Sequence, residues 1–286
     1  MSKVHEYNMY HNEQAHYDRK GFFMHSIHSI IGEHSIRFTT WSEQVVSWIT
    51  GTFYIVQDGT AAEEKSTDLL VHIDEQSGAP FESFDVRVLS DDNYICYKRS
   101  DYTVRVNRSH TKASIYVYDD FALKHALLNL YSSFVIYHGW GLLLHASCLE
   151  EGDRAYVFAG QSGAGKSTVI KLSSPRLVLS DEVAIIRVQK QDITVFNSPF
   201  RSEIKSTERT KQRLGGIFIL KPSHQVQRIP FRKPDGIFHL LNHLFYWTTD
   251  IKESNKVLMM CKMLADRVPI AQLNFQENDT FWEYIV

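Results

Sequence analysis

The chain has 286 residues, of which 43% are hydrophobic and 22% charged, a globular composition that fits one large domain or two smaller ones. Its net charge of −2 provides no basic surface for DNA, RNA or an anionic membrane, so no nucleic-acid partner is expected. The three cysteines lie far apart in apolar surroundings, which favours reduced thiols and predicts a cytoplasmic location.

Neither a signal peptide nor a membrane-spanning segment is predicted. The first apolar patch, residues 22–24, is too short for a signal peptide. The longest apolar stretch, residues 134–148, is interrupted by His138 and His145. The sequence therefore predicts no membrane partner. It leaves the oligomeric state open, and a homo-oligomer is compatible with it.

Residues 1–120 are predicted to form a β-rich N-terminal domain. Between about residues 21 and 119, apolar and polar residues alternate in short runs, such as 69–73 and 102–106, which clusters of turn-forming residues separate. This pattern predicts an antiparallel meander that packs by one face on a helix or a second layer. Because the segment contains no catalytic constellation, its expected role is substrate binding, with a sheet edge that could pair with an extended peptide.

Residues 121–286 are predicted to form a second domain of the α/β class, which makes the whole chain α+β. Asp119 or Asp120 can cap a helix whose apolar stripe runs from Leu123 to Tyr137. This helix is expected to join the two halves of the chain. Later patterns predict a strand over residues 216–221, two helices of which the second is capped by Ser254, and a last strand over residues 271–275.

The strongest feature of the sequence is a glycine-rich loop between an apolar strand and a short helix. A strand over residues 142–149, a tight turn and a returning strand over 155–159 lead into a complete G-x-x-x-x-G-K-S motif. The glycines allow backbone N–H groups to surround a phosphate, while Lys166 supplies positive charge and the Ser167 hydroxyl can bind Mg²⁺. The sequence thus predicts ATP and Mg²⁺ as ligands. The predicted nucleotide-binding residues are Gly160, Gln161, Ser162, Gly163, Ala164, Gly165, Lys166, Ser167 and Thr168.

An acidic pair follows the next predicted strand. Asp181 comes fifteen residues after Lys166, and a parallel strand one helix after the loop would place it beside the γ-phosphate. There it could bind Mg²⁺ or accept a proton from a substrate hydroxyl. The alternative is an acidic turn between two strands, because the strand pattern continues over residues 183–186.

Three other residues could act at the same site. His145 lies on the strand next to the loop strand, and the alternative for it is a satisfied core histidine. If the loop over residues 197–203 borders the nucleotide, Arg201 or Lys205 could neutralise charge on the transferring phosphoryl group.

Together, five segments resemble the C-terminal kinase domain of HPr kinase/phosphorylase and its relatives, over roughly residues 139–286. They are His145, the loop 160–167, residues 176–181, residues 198–200 and residues 266–273. The resemblance implies a P-loop kinase fold and ATP-dependent phosphorylation of a serine in a protein or peptide. Asp181 matches the second of the family's paired aspartates, whereas Ser180 stands in the place of the first, so phosphorylase activity is not implied. In size and layout the chain is most similar to the group that phosphorylates the C-terminal serine of lasso-peptide precursors.

The predicted function is therefore a kinase of a serine hydroxyl, with ATP and a peptide or small protein as partners. The resemblance implies His145, Lys166 and Asp181 as catalytic residues and Ser167 and Asp181 as Mg²⁺ ligands. A small-molecule kinase is one alternative, because the same loop can serve any hydroxyl acceptor. A P-loop NTPase switch is another, in which Asp181 and Glu182 activate water, although the acidic strand of such proteins usually comes later in the chain.

Overall fold

The computed structural model describes residues 23–57, 66–75, 77–204, 209–247 and 250–285, which form two β-sheets and five α-helices. Within these residues, no helix is both long and apolar enough to cross a membrane. The mixed α/β architecture confirms the predicted class at this level of detail. The narrower assignment to a particular kinase fold stays a prediction.

The N-terminal sheet contains seven strands in the order β1-β2-β3-β7-β6-β5-β4, so that β1 and β4 lie at its edges. Its strands are β1 (His25–Ile31), β2 (His34–Thr40), β3 (Leu69–Asp74), β4 (Arg87–Ser90), β5 (Tyr94–Lys98), β6 (Tyr102–Asn107) and β7 (Lys112–Val117). The predicted antiparallel meander is confirmed for β4 to β7 but is wrong for β3, which lies parallel to β2 and β7. Helix α1 (Glu43–Thr52) follows β2, and its crossover lets β3 run in the same direction as β2.

Helix α2 (Asp120–Tyr137) lies between the two halves of the chain. It begins at the predicted position, where the Asp119 carboxylate accepts a hydrogen bond from the N–H of Ala122 at 2.8 Å. The predicted stripe is buried, but so are Leu128, Val135 and Ile136 on other faces. The helix is buried nearly all round because it packs against β6 and β7 on one side and against the second half of the chain on the other.

The second sheet has eight strands, several of which close into a ring. Its strands are β8 (Gly141–Glu151), β9 (Arg154–Ala159), β10 (Val178–Ser180), β11 (Val183–Val188), β12 (Ile193–Phe196), β13 (Lys211–Pro222), β14 (Gln227–Pro230) and β15 (Ile270–Phe275). In the ring, β8 pairs with β9, β9 with β13, β13 with β12, β12 with β11 and β11 again with β8. The ring places β9, which leads into the glycine-rich loop, between two neighbouring strands.

Three α-helices and a final 3₁₀ helix accompany this sheet. They are α3 (Lys166–Leu172), α4 (Lys233–Leu241), α5 (Ile251–Arg267) and the 3₁₀ helix Asp279–Tyr284. Helix α5 starts earlier than predicted, because the Asp250 carboxylate accepts a hydrogen bond from the N–H of Lys252 at 2.6 Å. Ser254, the predicted cap, therefore lies inside the helix.

A single hydrophobic core crosses the predicted domain boundary at residues 120 and 121. It joins the N-terminal sheet and α2 to side chains of the second half, including Leu143, Val183, Ile185 and Phe200. The side chain of Arg187 on β11 adds a polar link, since it donates to Glu33, between β1 and β2, at 2.6 and 2.7 Å. The two halves consequently pack as one unit, and the division into two domains stays a prediction.

Candidate active site

The glycine-rich loop connects β9 to α3 and leaves the second sheet between β8 and β13. Gly163 and Gly165 have φ angles of +79° and +102°, a region that favours glycine. A side chain at Gly165 would also place its Cβ 2.4 Å from the ring of Phe275. The backbone of the loop therefore requires glycine where the motif has it.

Lys166 is the first residue of α3, and its side chain folds back over the loop. Its Nζ donates to the carbonyl of Gly160 at 2.7 Å and to that of Gln161 at 3.3 Å. Burial lowers the pKa of Lys166, and the negative charge of Glu182 acts in the opposite direction. Ser167 follows in the same turn and is exposed. The predicted cation and the predicted hydroxyl are thus both at the loop.

A cleft of about 810 Å³ opens beside the loop. Loop residues 160–164 form one part of its wall, the end of β13 (residues 219–222) forms another, and Phe238, His239, Asn242 and His243 complete it. The ring of Phe238 is 63% exposed. A volume in this range is typical of sites for small molecules and cofactors, so the cleft suits a ligand of nucleotide size.

Asp181 lies in the turn between β10 and β11, where its carboxylate anchors a neighbouring loop. The side chain is buried and accepts hydrogen bonds from the N–H groups of Ser202 at 3.1 Å, Glu203 at 2.8 Å and Ile204 at 2.9 Å. The acidic turn that was the alternative interpretation is present at this position. These bonds direct the carboxylate of Asp181 toward residues 202–204.

Glu182 is the acid of the pair whose charge reaches Lys166. Its backbone carbonyl accepts a hydrogen bond from Ala146 at 3.0 Å, and the next residue, Val183, pairs with His145 in the sheet. Its carboxylate forms an ion pair with Lys124 of α2. Glu182 acts electrostatically on both Lys166 and His145. It therefore lies near the glycine-rich loop and the strand beside it.

His145 lies on β8 and is half-buried at the same end of the sheet. Its backbone N–H donates to the carbonyl of His243 at 2.7 Å, and its ring lies 5.7 Å from the ring of Phe245. Burial lowers the pKa of His145, and the positive charge of Lys166 lowers it further. The imidazole is consequently neutral at pH 7, when it can donate one hydrogen bond and accept another.

Arg201 is committed to the backbone near Asp181. Its guanidinium donates to the carbonyls of Ser198 at 2.8 Å, Val178 at 2.9 Å and Leu179 at 3.1 Å. These contacts hold the loop after β12 against β10 and do not support the suggested role in neutralising a phosphoryl group. Lys205, the other residue suggested for that role, lies outside the described residues.

Sequence reasoning missed two residues of this site. Lys124 belongs to α2, 36 positions before the first glycine of the motif, and reaches the site because α2 packs against β8. His243 follows α4 and affects the charge balance of His145. Neither has a spacing that would single it out, because only the tertiary packing brings them to the loop.

No protein-family model matches this chain, and no curated protein sequence matches it.

Proposed function

We propose that this chain is an ATP- and Mg²⁺-dependent kinase that transfers the γ-phosphate to a serine hydroxyl of a peptide or protein. The observation that carries the proposal is a glycine-rich loop with Lys166, which shares one end of the sheet with an acid, Glu182, and a neutral imidazole, His145. A cation, an acid and a neutral donor around a phosphate loop are the groups that phosphoryl transfer uses.

The cleft and the loop fit a nucleoside triphosphate. The glycines at positions 163 and 165 leave the loop backbone open to a phosphate, and the 810 Å³ cleft begins at that loop. The exposed ring of Phe238 on the cleft wall offers a face on which a purine base can stack. The residues that would hold the triphosphate are those of the loop and Lys166.

The donor set also fits Mg²⁺, which prefers oxygen ligands and supplies charge neutralisation at the transferred phosphoryl group. The hydroxyl of Ser167 is the protein oxygen that would hold it, together with phosphate oxygens of the nucleotide. The carboxylate of Asp181 is instead engaged by three backbone N–H groups. The assignment of metal binding to Asp181 stays a prediction.

The side chains then have distinct roles. Lys166 balances the negative charge of the phosphates, and neutral His145 donates a hydrogen bond at the phosphoryl site. Glu182 orients the acceptor hydroxyl and accepts its proton, while its ion pair with Lys124 holds the carboxylate in place. Asp181 positions residues 202–204. Alignment of the hydroxyl with the phosphoryl group supplies much of the rate enhancement.

The choice of a serine as acceptor comes from the family resemblance. It favours a serine of a peptide, and within that class the C-terminal serine of a lasso-peptide precursor. The likeness over residues 139–286 supports this choice.

Replacement of Lys166 by alanine tests the proposal. Loss of the ammonium group should reduce phosphoryl transfer at least 100-fold, because it removes the charge that balances the phosphates. The melting temperature should be unchanged, since the hydrogen bonds of the Lys166 side chain lie within the loop. Lys171→Ala, on the exposed face of the same helix, is the matched control and should retain activity. Transfer is measured as added phosphate on a serine peptide by mass spectrometry. Wild-type turnover by the Lys166→Ala variant would overturn the kinase assignment.

A P-loop NTPase is a second candidate, and the position of Glu182 is the observation that favours it. A carboxylate close to the loop lysine can activate water as well as a hydroxyl. Comparison of ATP turnover with and without a peptide acceptor separates the two candidates. A kinase turns over faster with the acceptor and yields phosphopeptide, whereas an NTPase releases inorganic phosphate at the same rate in both.

A further inference from the structure

A second pocket, of about 440 Å³, lies between the N-terminal half of the chain and the loop after β12. Helix α1, the first turn of α2 and residues 199–204 line it. Two links connect it to the candidate active site. Lys124 lines the pocket and forms the ion pair with Glu182, and residues 202–204 of its wall hold Asp181. The pocket therefore ends next to the two acids.

An exposed aromatic cluster adjoins this pocket. The ring of Phe81 lies 4.8 Å from Phe84 and 5.2 Å from Phe121, and the ring of Phe121 lies 4.3 Å from His125. Phe121 belongs to the cluster and also lines the pocket. Phe84 is 67% exposed. The aromatic cluster and the pocket thus form one continuous surface.

A buried cation, Arg99, packs against the rings of the aromatic cluster. The guanidinium of Arg99 lies 4.9 Å from the centre of the Phe81 ring and 5.6 Å from that of Phe121. Arg99 is itself fixed by Asp101, to which it donates at 2.6 and 2.8 Å. The exposed rings are therefore held in place before any ligand arrives, which lowers the entropic cost of binding.

The charge that the pocket offers to a ligand is negative. The charges of its two basic side chains are balanced by acids outside the pocket lining, Lys124 by Glu182 and Arg201 by Asp181. Its acidic side chains are Asp120, at the start of α2, and Glu203. A ligand with a positive charge complements them.

We propose that this surface binds the phosphoryl acceptor as a basic peptide with an aromatic or large aliphatic side chain near the acceptor serine. The inference rests on the proposed kinase function and names the substrate class. The serine enters the 440 Å³ pocket toward Glu182, and the apolar side chain packs on Phe84 and Phe121. Residues three apart on a helix, such as Phe121 and Lys124, are about 5–6 Å apart, and an extended peptide advances about 3.3 Å per residue. The gap between Phe121 and Lys124 thus corresponds to about two residues, and because the serine points beyond Lys124, the anchoring side chain lies at least two residues from it.

A library of twelve-residue peptides with one fixed serine tests this inference. Wild-type protein with Mg-ATP should select an aromatic or large aliphatic residue at least two positions from the serine, and should prefer Lys or Arg to Asp or Glu beside it. Gly51 lines the pocket, and a Cβ there would meet nothing within 4 Å, so the backbone at this position accepts a side chain and Gly51→Trp narrows the pocket. This variant should raise the KM for the best peptide at least tenfold and leave the KM for ATP unchanged. Phe84→Ala should raise the peptide KM about fivefold.

Two variants serve as controls. Thr50→Trp adds the same side chain to an exposed position of α1, and Met259→Ala removes an apolar side chain that is 66% exposed on α5; both should match the wild type. Wild-type kinetics of Gly51→Trp would overturn the docking surface and leave the kinase in place. A change in oligomeric state of Phe84→Ala at constant peptide KM would instead assign the surface to a second copy of the chain. If the wild type transfers phosphate to no acceptor, the proposed function itself fails.

Discussion

Asp181 and Glu182 are adjacent in the chain, but their carboxylates have different partners. Asp181 accepts three backbone N–H groups of residues 202–204, and Glu182 pairs with Lys124 and acts on Lys166. Both residues lie in the turn between β10 and β11, and their different partners separate the two carboxylates. One acid is suited to hold structure and the other to chemistry.

Conservative amide substitutions should separate these two roles. Glu182→Gln should lower kcat at least 100-fold with little change in stability, because it removes the charge beside the phosphate loop. Asp181→Asn should cost about 1–3 kcal/mol of unfolding free energy, because the N–H groups of residues 202–204 lose a charged acceptor. Steady-state kinetics and urea unfolding measure the two effects. The reverse pattern, in which Asp181→Asn alone abolishes turnover at full stability, would restore the sequence-based assignment to Asp181.

At the level of single residues, the sequence predicts the loop but does not show which of the two acids, Asp181 or Glu182, lies near Lys166. Gly163, Gly165 and Lys166 are recognisable in the sequence because the loop needs them at fixed spacings along the chain. Which acid lies near Lys166 depends on the pairing of β11 with β8, where Val183 lies opposite His145. That pairing joins residues about forty positions apart, and no local pattern encodes it.

Among the elements, α2 has the largest influence on the site. It carries Lys124, which pairs with Glu182, and Phe121, which lines the second pocket. Its N-terminus is fixed by the Asp119 cap. The start of this helix thus determines where both side chains are presented.

Removal of the cap should destabilise the protein measurably. Asp119→Ala leaves the N–H of Ala122 without its acceptor and should cost about 1 kcal/mol. Asp119→Ser keeps a capping oxygen and should lose only a small part of that unfolding free energy. Urea midpoints of the two variants provide the measurement. Equal stability of Asp119→Ala and the wild type would show that the cap contributes nothing to α2.

The elements themselves were largely predictable, and their arrangement was not. Apolar periodicity and turn residues located α2, β8 and β9 because these signals are local. Alternation of side chains is the same in parallel and antiparallel strands, so it could not show that β3 lies parallel to β2 and β7. The ring of β8, β9, β13, β12 and β11 likewise depends on pairings that are distant in the sequence.

For the molecule as a whole, buried histidines make stability depend on pH. Burial lowers the pKa of His110 from 6.5 to about 4, and it also lowers the pKa values of the partly buried His125, His145 and His243. Below about pH 6.5 the unfolded chain binds protons that the folded chain does not, so stability is full above that pH and is lost as the pH falls toward 4.

Urea unfolding at pH 7.5 and 5.5 should reveal this loss. His110 alone should contribute about 1 kcal/mol of the decrease. His110→Asn should reduce the pH dependence of stability by that amount, because asparagine does not titrate. Asparagine also tolerates the φ of +52° at this position, so the backbone is retained. A stability that is constant between the two pH values would contradict the effect of burial on these histidines.

The hydrophobic core that crosses residue 120 also has a consequence for the order of synthesis. The apolar face of the N-terminal sheet is complete once β7 ends at Val117, but part of its cover, in β11 and β12, is made later, and its last member, Phe200, comes 83 residues after Val117. At about 5–20 residues per second, translation needs about 4–16 s to produce that cover. During this interval the nascent sheet displays an uncovered apolar surface, which makes it a target for chaperones on the ribosome.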